Sequence, residues 1–289
     1  MASLKKIVWP YIELMRLDKP IGILLLLWPT LSALWIAAEG LPDLMVLSVF
    51  VLGVIIMRSA GCVVNDYADR NVDGLVIRTI NRPLIRGDVT PRQALILFSC
   101  LGLLALLLVS QLNKFTIWMS LVAMFLAALY PFMKRYTYLP QVFLGMAFGW
   151  AIPMAFAAQT NAVPTIAWLL FLANILWTTA YDTFYAMADR EDDIFAGVKS
   201  TAILFGDDDL VIIGVLQFMF LLVMVLIGSQ LEMSISYYIG VFSAGLLSIY
   251  QQYLAKNKQP AHCLQAFLNN NWVGGVIFLG IVFHYVLMT

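Results

Sequence analysis

Asn65, Asp69 and Asp73 stand four residues apart in the stretch Gly61-Cys-Val-Val-Asn65-Asp66-Tyr67-Ala-Asp69-Arg70-Asn-Val-Asp73-Gly74. On a helix that spacing lines them along one face, a turn between each. The stretch follows directly on an apolar run, Leu44 to Val64, long enough to cross a bilayer. A second stretch, Asp182-Thr-Phe-Tyr185-Ala-Met-Ala-Asp189-Arg190-Glu191-Asp192-Asp193, also closes an apolar run, and Tyr185, Asp189 and Asp193 repeat the spacing. Ionisable groups at membrane depth are costly and point to function. A lone Asp-x3-Asp after a helix is explained by a solvated loop. Two matching copies, each continuous with an apolar run, are not.

Two facing carboxylate sets without His or Cys ligands suit a hard, oxygen-seeking cation, above all Mg²⁺. Mg²⁺ is held by few carboxylates, keeps several waters and bridges to phosphate oxygens, so two such sets can grip a diphosphate between them. Arg70, Arg78, Arg82, Arg190 and Lys199 lie close enough in sequence to take the remaining phosphate charge. These parts describe ionisation of an allylic diphosphate. The metal stabilises the departing diphosphate, and a dry, aromatic-lined pocket shelters the carbocation. Trp28, Trp150, Phe148, Tyr130 and Tyr185 are candidate walls. Asp66 is one residue off the acid stripe and reads as a supporting or helix-terminal group, and Glu191 and Asp192 are off-stripe too. Asp182, within its span, points into the chamber. Asp207-Asp208-Asp209 reads as a solvated turn capping the next span, and His262 and His284 as structural or interfacial.

The chain that must position these residues is 62% hydrophobic and only 12% charged, against about a quarter charged in soluble domains. That composition describes an all-α polytopic membrane protein, and its zero net charge gives no case for nucleic acid. The three cysteines form no CxxC pair and read as small apolar residues. Residues 1–20 read as an amphipathic, interfacial lead-in. With about 20 apolar residues per crossing, nine spans follow: Ile21–Ala38, Leu44–Val64, Ala94–Leu112, Phe115–Phe132, Gln141–Ala158, Thr165–Met187, Leu210–Gly228, Ile235–Leu254 and Asn271–Met288, the last beginning as early as Ala261. Together they make one integral-membrane domain over 1–289.

Loop charges orient it. Lys5, Lys6, Arg16 and Lys19 precede the first span, and Arg70, Arg78, Arg82, Arg86 and Arg92 follow the second. Lys134 and Arg135, Arg190 and Lys199, and Lys256 and Lys258 follow the fourth, sixth and eighth. On the other side only Lys114 breaks the pattern. The N-terminus and both acid stretches are therefore expected on the cytoplasmic side. The two halves also echo each other. Asp73-Gly74 is trailed by Arg78-Thr79, and Asp193 by Gly197-Val-Lys199-Ser200-Thr201, which points to a duplicated bundle with a pseudo-twofold axis.

At this point the residues resemble a known family, the UbiA-type intramembrane prenyltransferases. The paired Asn65-x3-Asp69-x3-Asp73 and Tyr185-x3-Asp189-x3-Asp193 carry the resemblance. So do Arg16-Leu-Asp-Lys-Pro20-Ile-Gly, Leu27-Trp28-Pro29-Thr30, Tyr130-Pro-Phe-Met-Lys134-Arg135-Tyr-Thr, Tyr181-Asp182, Gly197 to Thr201 and Asn269-Asn270-Asn271. The match is nearest to the bacterial branch that prenylates 4-hydroxybenzoate on the way to ubiquinone. It departs at Asn81-Arg82-Pro83-Leu84-Ile85-Arg86-Gly87, where a second proline is expected after the leucine. The resemblance implies a nine-helix bundle in the bacterial inner membrane, open sideways to lipid and dependent on Mg²⁺. The substrates it implies are a long polyprenyl diphosphate, typically octaprenyl, and 4-hydroxybenzoate, joined at the ring carbon ortho to the hydroxyl. Membrane lipid surrounds it, and no obligate protein partner is expected. Carried over, Asp69, Asp73, Asp189 and Asp193 hold the Mg²⁺–diphosphate, and Asn65 assists. Arg78, Arg82, Asp182, Tyr185 and Lys199 meet substrate, and Arg135 is a catalytic or substrate-orienting cation.

Three other readings compete. A family member with another aromatic acceptor has the same acid sets. A CDP-alcohol phosphotransferase needs an Ala-Arg pair soon after its first Asp-Gly, and here Asp73-Gly74 runs into Leu75-Val-Ile-Arg78. A divalent-cation transporter would spread its acids through the bilayer midplane on broken helices, whereas these gather at one face.

Overall fold

The computed structural model describes residues 2–71, 74 and 79–288, and every regular element among them is helical. In chain order these are α1 (Ala2–Leu14), α2 (Ile21–Ala37), α3 (Leu44–Asp69), α4 (Pro83–Arg86), α5 (Pro91–Val109), α6 (Lys114–Tyr136), α7 (Pro140–Gly149), α8 (Ala151–Thr160), α9 (Thr165–Ala188), α10 (Arg190–Phe195), α11 (Thr201–Phe205), α12 (Asp209–Gln230), α13 (Ile235–Ala255) and α14 (Pro260–Met288). Among the described residues, six stretches are long and apolar enough to cross a membrane: α3, α5, α6, α7 with α8, α11 with α12, and α14. The 17-residue α2 is apolar but shorter. Two of the expected spans, α9 and α13, are not among the six.

Local chemistry sets the helix ends. The Asp43 carboxylate accepts from the Met45 and Val46 amides at 2.9 and 3.0 Å and starts α3. Thr90 and Gln93 form a capping box at α5. Asn113 caps α6 and also donates to the Ala157 carbonyl at 2.7 Å, tying two spans together. Two boundaries differ from the sequence expectation. Helix α3 runs past Val64 to Asp69, so Asn65, Asp66 and Asp69 stand on the membrane helix itself. The span expected over Gln141–Ala158 is broken at Trp150. Pro153 has no N–H for the Gly149 carbonyl and its ring crowds that carbonyl. The Trp150 indole at the break donates to the Met119 carbonyl of α6 at 3.0 Å.

Helix α14 is wedged among α13, α2 and α9. It meets α13 backbone to backbone: a Cβ on Gly240 would lie 2.7 Å from the Val276 carbonyl oxygen, and one on Gly280 3.0 Å from that of Ser236. Such small-residue contacts substitute for the hydrophobic drive that lipid removes. The Asn269-Asn270-Asn271 run fastens the same helix. Asn271 accepts from the Trp28 indole of α2 at 2.8 Å, Asn270 from the Trp177 indole of α9 at 2.9 Å, and Asn269 from Gln251 of α13 at 3.0 Å. The main core, with Leu25, Leu34, Ile152, Trp177, Phe220 and Tyr237 among its members, lies between these helices. A smaller cluster seats Leu14 of the lead-in helix against Val63, Val89 and Ala94.

Candidate active site

One cavity of about 1100 Å³ opens among α2, α3, α6, α7, α9, α10 and α14. The described members of both acid sets line it: Asn65 and Asp69 from α3, Asp182 and Tyr185 from α9, Asp189 at the α9–α10 break, and Asp193 from α10. Asp73 and Arg78 lie outside the described residues. Asp189 ends α9, its amide bonded to the Ala186 carbonyl at 3.2 Å, and its own carbonyl accepts from the Asp193 amide at 2.8 Å. That break turns the chain so that Asp189, Asp192 and Asp193 all reach the cavity. Asp192, read as off-stripe, is thus inside the site.

The cations divide in a way the sequence does not show. Lys134 of α6 pairs with the buried Asp69. Asp66, 2% exposed, takes Arg16 at 3.0 Å and Arg82 at 3.1 Å. It therefore supports the site by holding Arg82, which lines the cavity as expected. Lys199 lines it too, donating to the Tyr136 carbonyl at 3.3 Å with its ammonium 5.3 Å from the Tyr138 ring centroid. Two backbone links anchor its strand of chain: Lys199 N–H to the Lys134 carbonyl at 2.9 Å, and Thr201 N–H to the Gln141 side chain at 3.1 Å.

Other expected cations lie elsewhere. Arg70 folds back over Tyr67, 4.3 Å from its ring centroid, and is absent from the cavity lining. Arg190 is held by Asp209, and neither lines the cavity. Asp209 itself is no solvated turn residue: it has no exposed surface and also takes Lys258 at 2.9 Å. Arg135 points out at the end of α6, donates to the Ala68 carbonyl at 2.9 Å and lines no part of the cavity. It braces the last turn of α3, one residue before Asp69.

Sequence reasoning missed Arg58. It stands on α3 amid apolar residues, lines the cavity, donates to the Cys62 thiol at 3.0 Å and lies 5.7 Å from the Phe148 ring centroid. Gly22 makes room for it, since a Cβ there would collide with the guanidinium. A cation inside an apolar run was the available signal. The walls are also partly redrawn. Tyr130, Phe148 and Tyr185 line the cavity together with Tyr181 and Phe267, whereas Trp28 and Trp150 do not. Trp28 borders a separate small apolar pocket beside Trp177.

Among the described residues, no three carboxylate, imidazole or thiol groups converge into a ready metal centre. The donor set still fits a hard cation that bridges to a diphosphate. The anionic groups at the cavity are carboxylates, no imidazole lines it, and Asp69 already has a cationic partner in Lys134.

A family model described as UbiA prenyltransferase family matches residues 26–280. The 4-hydroxybenzoate octaprenyltransferase of Aeromonas hydrophila subsp. hydrophila is 59% identical over 276 residues, 96% of this chain and 96% of that one. Among solved structures, the apo form of a UbiA homolog from Aeropyrum pernix K1 superposes with a TM-score of 0.80 at 23% identity, covering 93% of this chain and 98% of that one. A UbiA homolog from Archaeoglobus fulgidus bound to GPP and Mg²⁺ gives 0.74 at 16% identity, over 96% and 99%.

Proposed function

The chain belongs to the UbiA prenyltransferase family, and we propose that it transfers a long prenyl group, typically octaprenyl, from polyprenyl diphosphate to 4-hydroxybenzoate. The new bond forms at the ring carbon ortho to the hydroxyl as the allylic carbon–oxygen bond breaks. Diphosphate leaves and the ring proton is lost to a basic oxygen. This is a step of ubiquinone biosynthesis. The observation that carries the reading is the meeting of acids from two distant stretches in one cavity, polar at one end and aromatic within, in a chain so like a 4-hydroxybenzoate octaprenyltransferase.

Asp69, Asp73, Asp189 and Asp193 would hold Mg²⁺ and through it the diphosphate, with Asn65 assisting. Bound Mg²⁺ supplies charge neutralisation for the departing diphosphate. Arg82 and Lys199 add positive charge at the cavity, and Arg78 is read from the sequence as a further phosphate cation. Tyr130, Phe148, Tyr181 and Phe267 exclude water from the reacting carbon, and aromatic faces suit a developing cation. Tyr185 and Asp182 form the wall between diphosphate and acceptor. Arg58, deeper on α3, takes the acceptor carboxylate, and Arg135, read from the sequence as a catalytic or substrate-orienting cation, lines no part of the cavity. Leu264 and the exposed Leu268 of α14 line the cavity, which supports a sideways exit for the prenyl tail.

The protein is integral to the membrane. In the finer reading it is a single domain of nine crossings with a pseudo-twofold repeat in the bacterial inner membrane, its N-terminus and cavity mouth cytoplasmic. The basic loops support that orientation. Purified protein given labelled polyprenyl diphosphate and a panel of acceptors tests the function. Transfer to 4-hydroxybenzoate is expected, lost in EDTA and restored by Mg²⁺, and lost in Asp69→Asn and Asp189→Asn. Preference for another acceptor, or full activity in EDTA or in those variants, overturns the reading.

A further inference from the structure

Arg58, Cys62, Asn65 and Asp69 follow one another at helical spacing along one face of α3, and all four line the cavity. Asp182, Tyr185 and Asp189 make the matching stripe on α9. Asp69 ends α3 and Asp189 caps α9, both at the acid end of the cavity. Asp182 lies seven residues, about 10 Å, below Asp189, and Arg58 eleven residues, about 16 Å, below Asp69. The two therefore differ by about 6 Å in depth, the reach of a benzene ring from one para substituent to the other. Tyr130, Phe148 and Tyr181 wall the same stretch.

Among the described cavity-lining residues, Asp182 is the one carboxylate two turns inside a long helix, and no imidazole joins it. A carboxylate at membrane depth is costly and points to function. The charges that act on it are Arg58 from α3 and, toward the acid end, Asp189 and Asp193. With the acceptor carboxylate on Arg58, the hydroxyl and the ortho carbons fall at the level of Asp182. We propose that Asp182 is the catalytic base that takes the ring proton. Once the allylic carbon has bonded to the ortho carbon, that carbon holds both its hydrogen and the prenyl group, and the ring carries the positive charge. The C–H bond then breaks, its electron pair restores the aromatic ring, and the proton goes to a carboxylate oxygen of Asp182. From there it passes to water as the products leave. The proposal rests on the reading of 4-hydroxybenzoate as the acceptor and of Arg58 as its carboxylate anchor. A carboxylate that only steadied Arg58 or the carbocation would leave the C–H step untouched.

The full-length protein in detergent, given Mg²⁺, labelled polyprenyl diphosphate and 4-hydroxybenzoate deuterated at both ortho positions, tests it. In the parent the C–H step follows the slow ionisation, so ring deuterium should leave kcat unchanged. Asp182→Asn should lower kcat by about 10²- to 10⁴-fold, the worth of a positioned base. KM for both substrates should stay near parental, and the residual rate should show a primary isotope effect. Asp182→Glu, which keeps a carboxylate, should recover part of the rate. Should Asp182→Asn not fold, Asp182→Glu carries the test, because a displaced base slows proton removal and brings out the same isotope effect. Parental kcat in Asp182→Asn overturns the proposal. So does a slowed variant without the isotope effect, and so does a raised KM for 4-hydroxybenzoate with kcat kept, which assigns Asp182 to holding Arg58. A parent that prenylates another acceptor and not 4-hydroxybenzoate sinks the acceptor reading, and the proposal falls with it. Normal parental transfer confines any failure to Asp182.

Discussion

Arg58 stands eleven residues before Asp69 on α3, about 16 Å deeper along the helix at 1.5 Å per residue. That distance separates it from the diphosphate end. Its surroundings are a thiol, an aromatic ring and a glycine that leaves it space, and its buried Nε has no hydrogen-bond partner among the described residues. A buried cation is costly until an anion joins it, and a planar guanidinium matches a carboxylate two bonds at a time. Arg58→Gln should therefore raise KM for 4-hydroxybenzoate by about 10- to 100-fold, the loss of a charge-assisted hydrogen bond worth about 1.5–3 kcal/mol. KM for the prenyl diphosphate should stay near the parental value. The variant should also lose the parent's preference for the acid over 4-hydroxybenzamide. Equal rises in both KM values would show a diphosphate or structural role instead. The acid stripes were legible because their spacing repeats. Arg58 has no repeat to announce it, only its improbable place in an apolar run. Arg135 shows the converse: a motif position and a basic residue, with a side chain that braces α3 from outside the cavity.

At the scale of the helix, α14 shows how a membrane bundle is held once hydrophobic drive is gone. Its asparagines could be quoted from the sequence as a motif, but their partners, Trp28, Trp177 and Gln251, come from three other helices. Helix periodicity carries no record of such pairings. Asn270→Ala would leave the buried Trp177 N–H without an acceptor, a cost of about 1–3 kcal/mol, seen as a lower Tm in detergent. Asn271→Ala should cost less, because the Trp28 pair is only partly buried. The glycine contacts separate in the same way. Gly240→Ala drives a methyl at a carbonyl that cannot rotate away and should cost about 1–3 kcal/mol. Gly245→Ala meets only the flexible end of Leu221 at 3.5 Å and should leave Tm unchanged. The break at Trp150 belongs to this scale too. Pro153 marks it in the sequence, yet a continuous apolar run conceals it, since hydropathy does not register a missing N–H.

For the whole molecule, the sequence predicts two acid-bearing helix ends on one face, from loop charge and the parity of the nine expected spans. It does not reveal which cations are committed to other carboxylates, since Arg16 with Asp66 and Arg190 with Asp209 meet only through the tertiary fold. Orientation decides from which compartment 4-hydroxybenzoate enters, and α12 offers a direct reading of it. Its 22 residues span about 33 Å, enough to cross the hydrocarbon, so residues at its two ends should face opposite sides. Cys62 and Cys263 are buried, and Cys100 is exposed, so Cys100→Ser gives a quiet background. On that background a membrane-impermeant maleimide added to intact spheroplasts should label Ser229→Cys and spare Asp208→Cys. Permeabilisation should then expose Asp208→Cys. The reverse pattern would turn the bundle over and put the acceptor's entry outside the cell. Labelling of both without permeabilisation would mean that α12 does not cross the membrane at all, and the cavity would then lack the enclosed, water-poor setting that the carbocation requires.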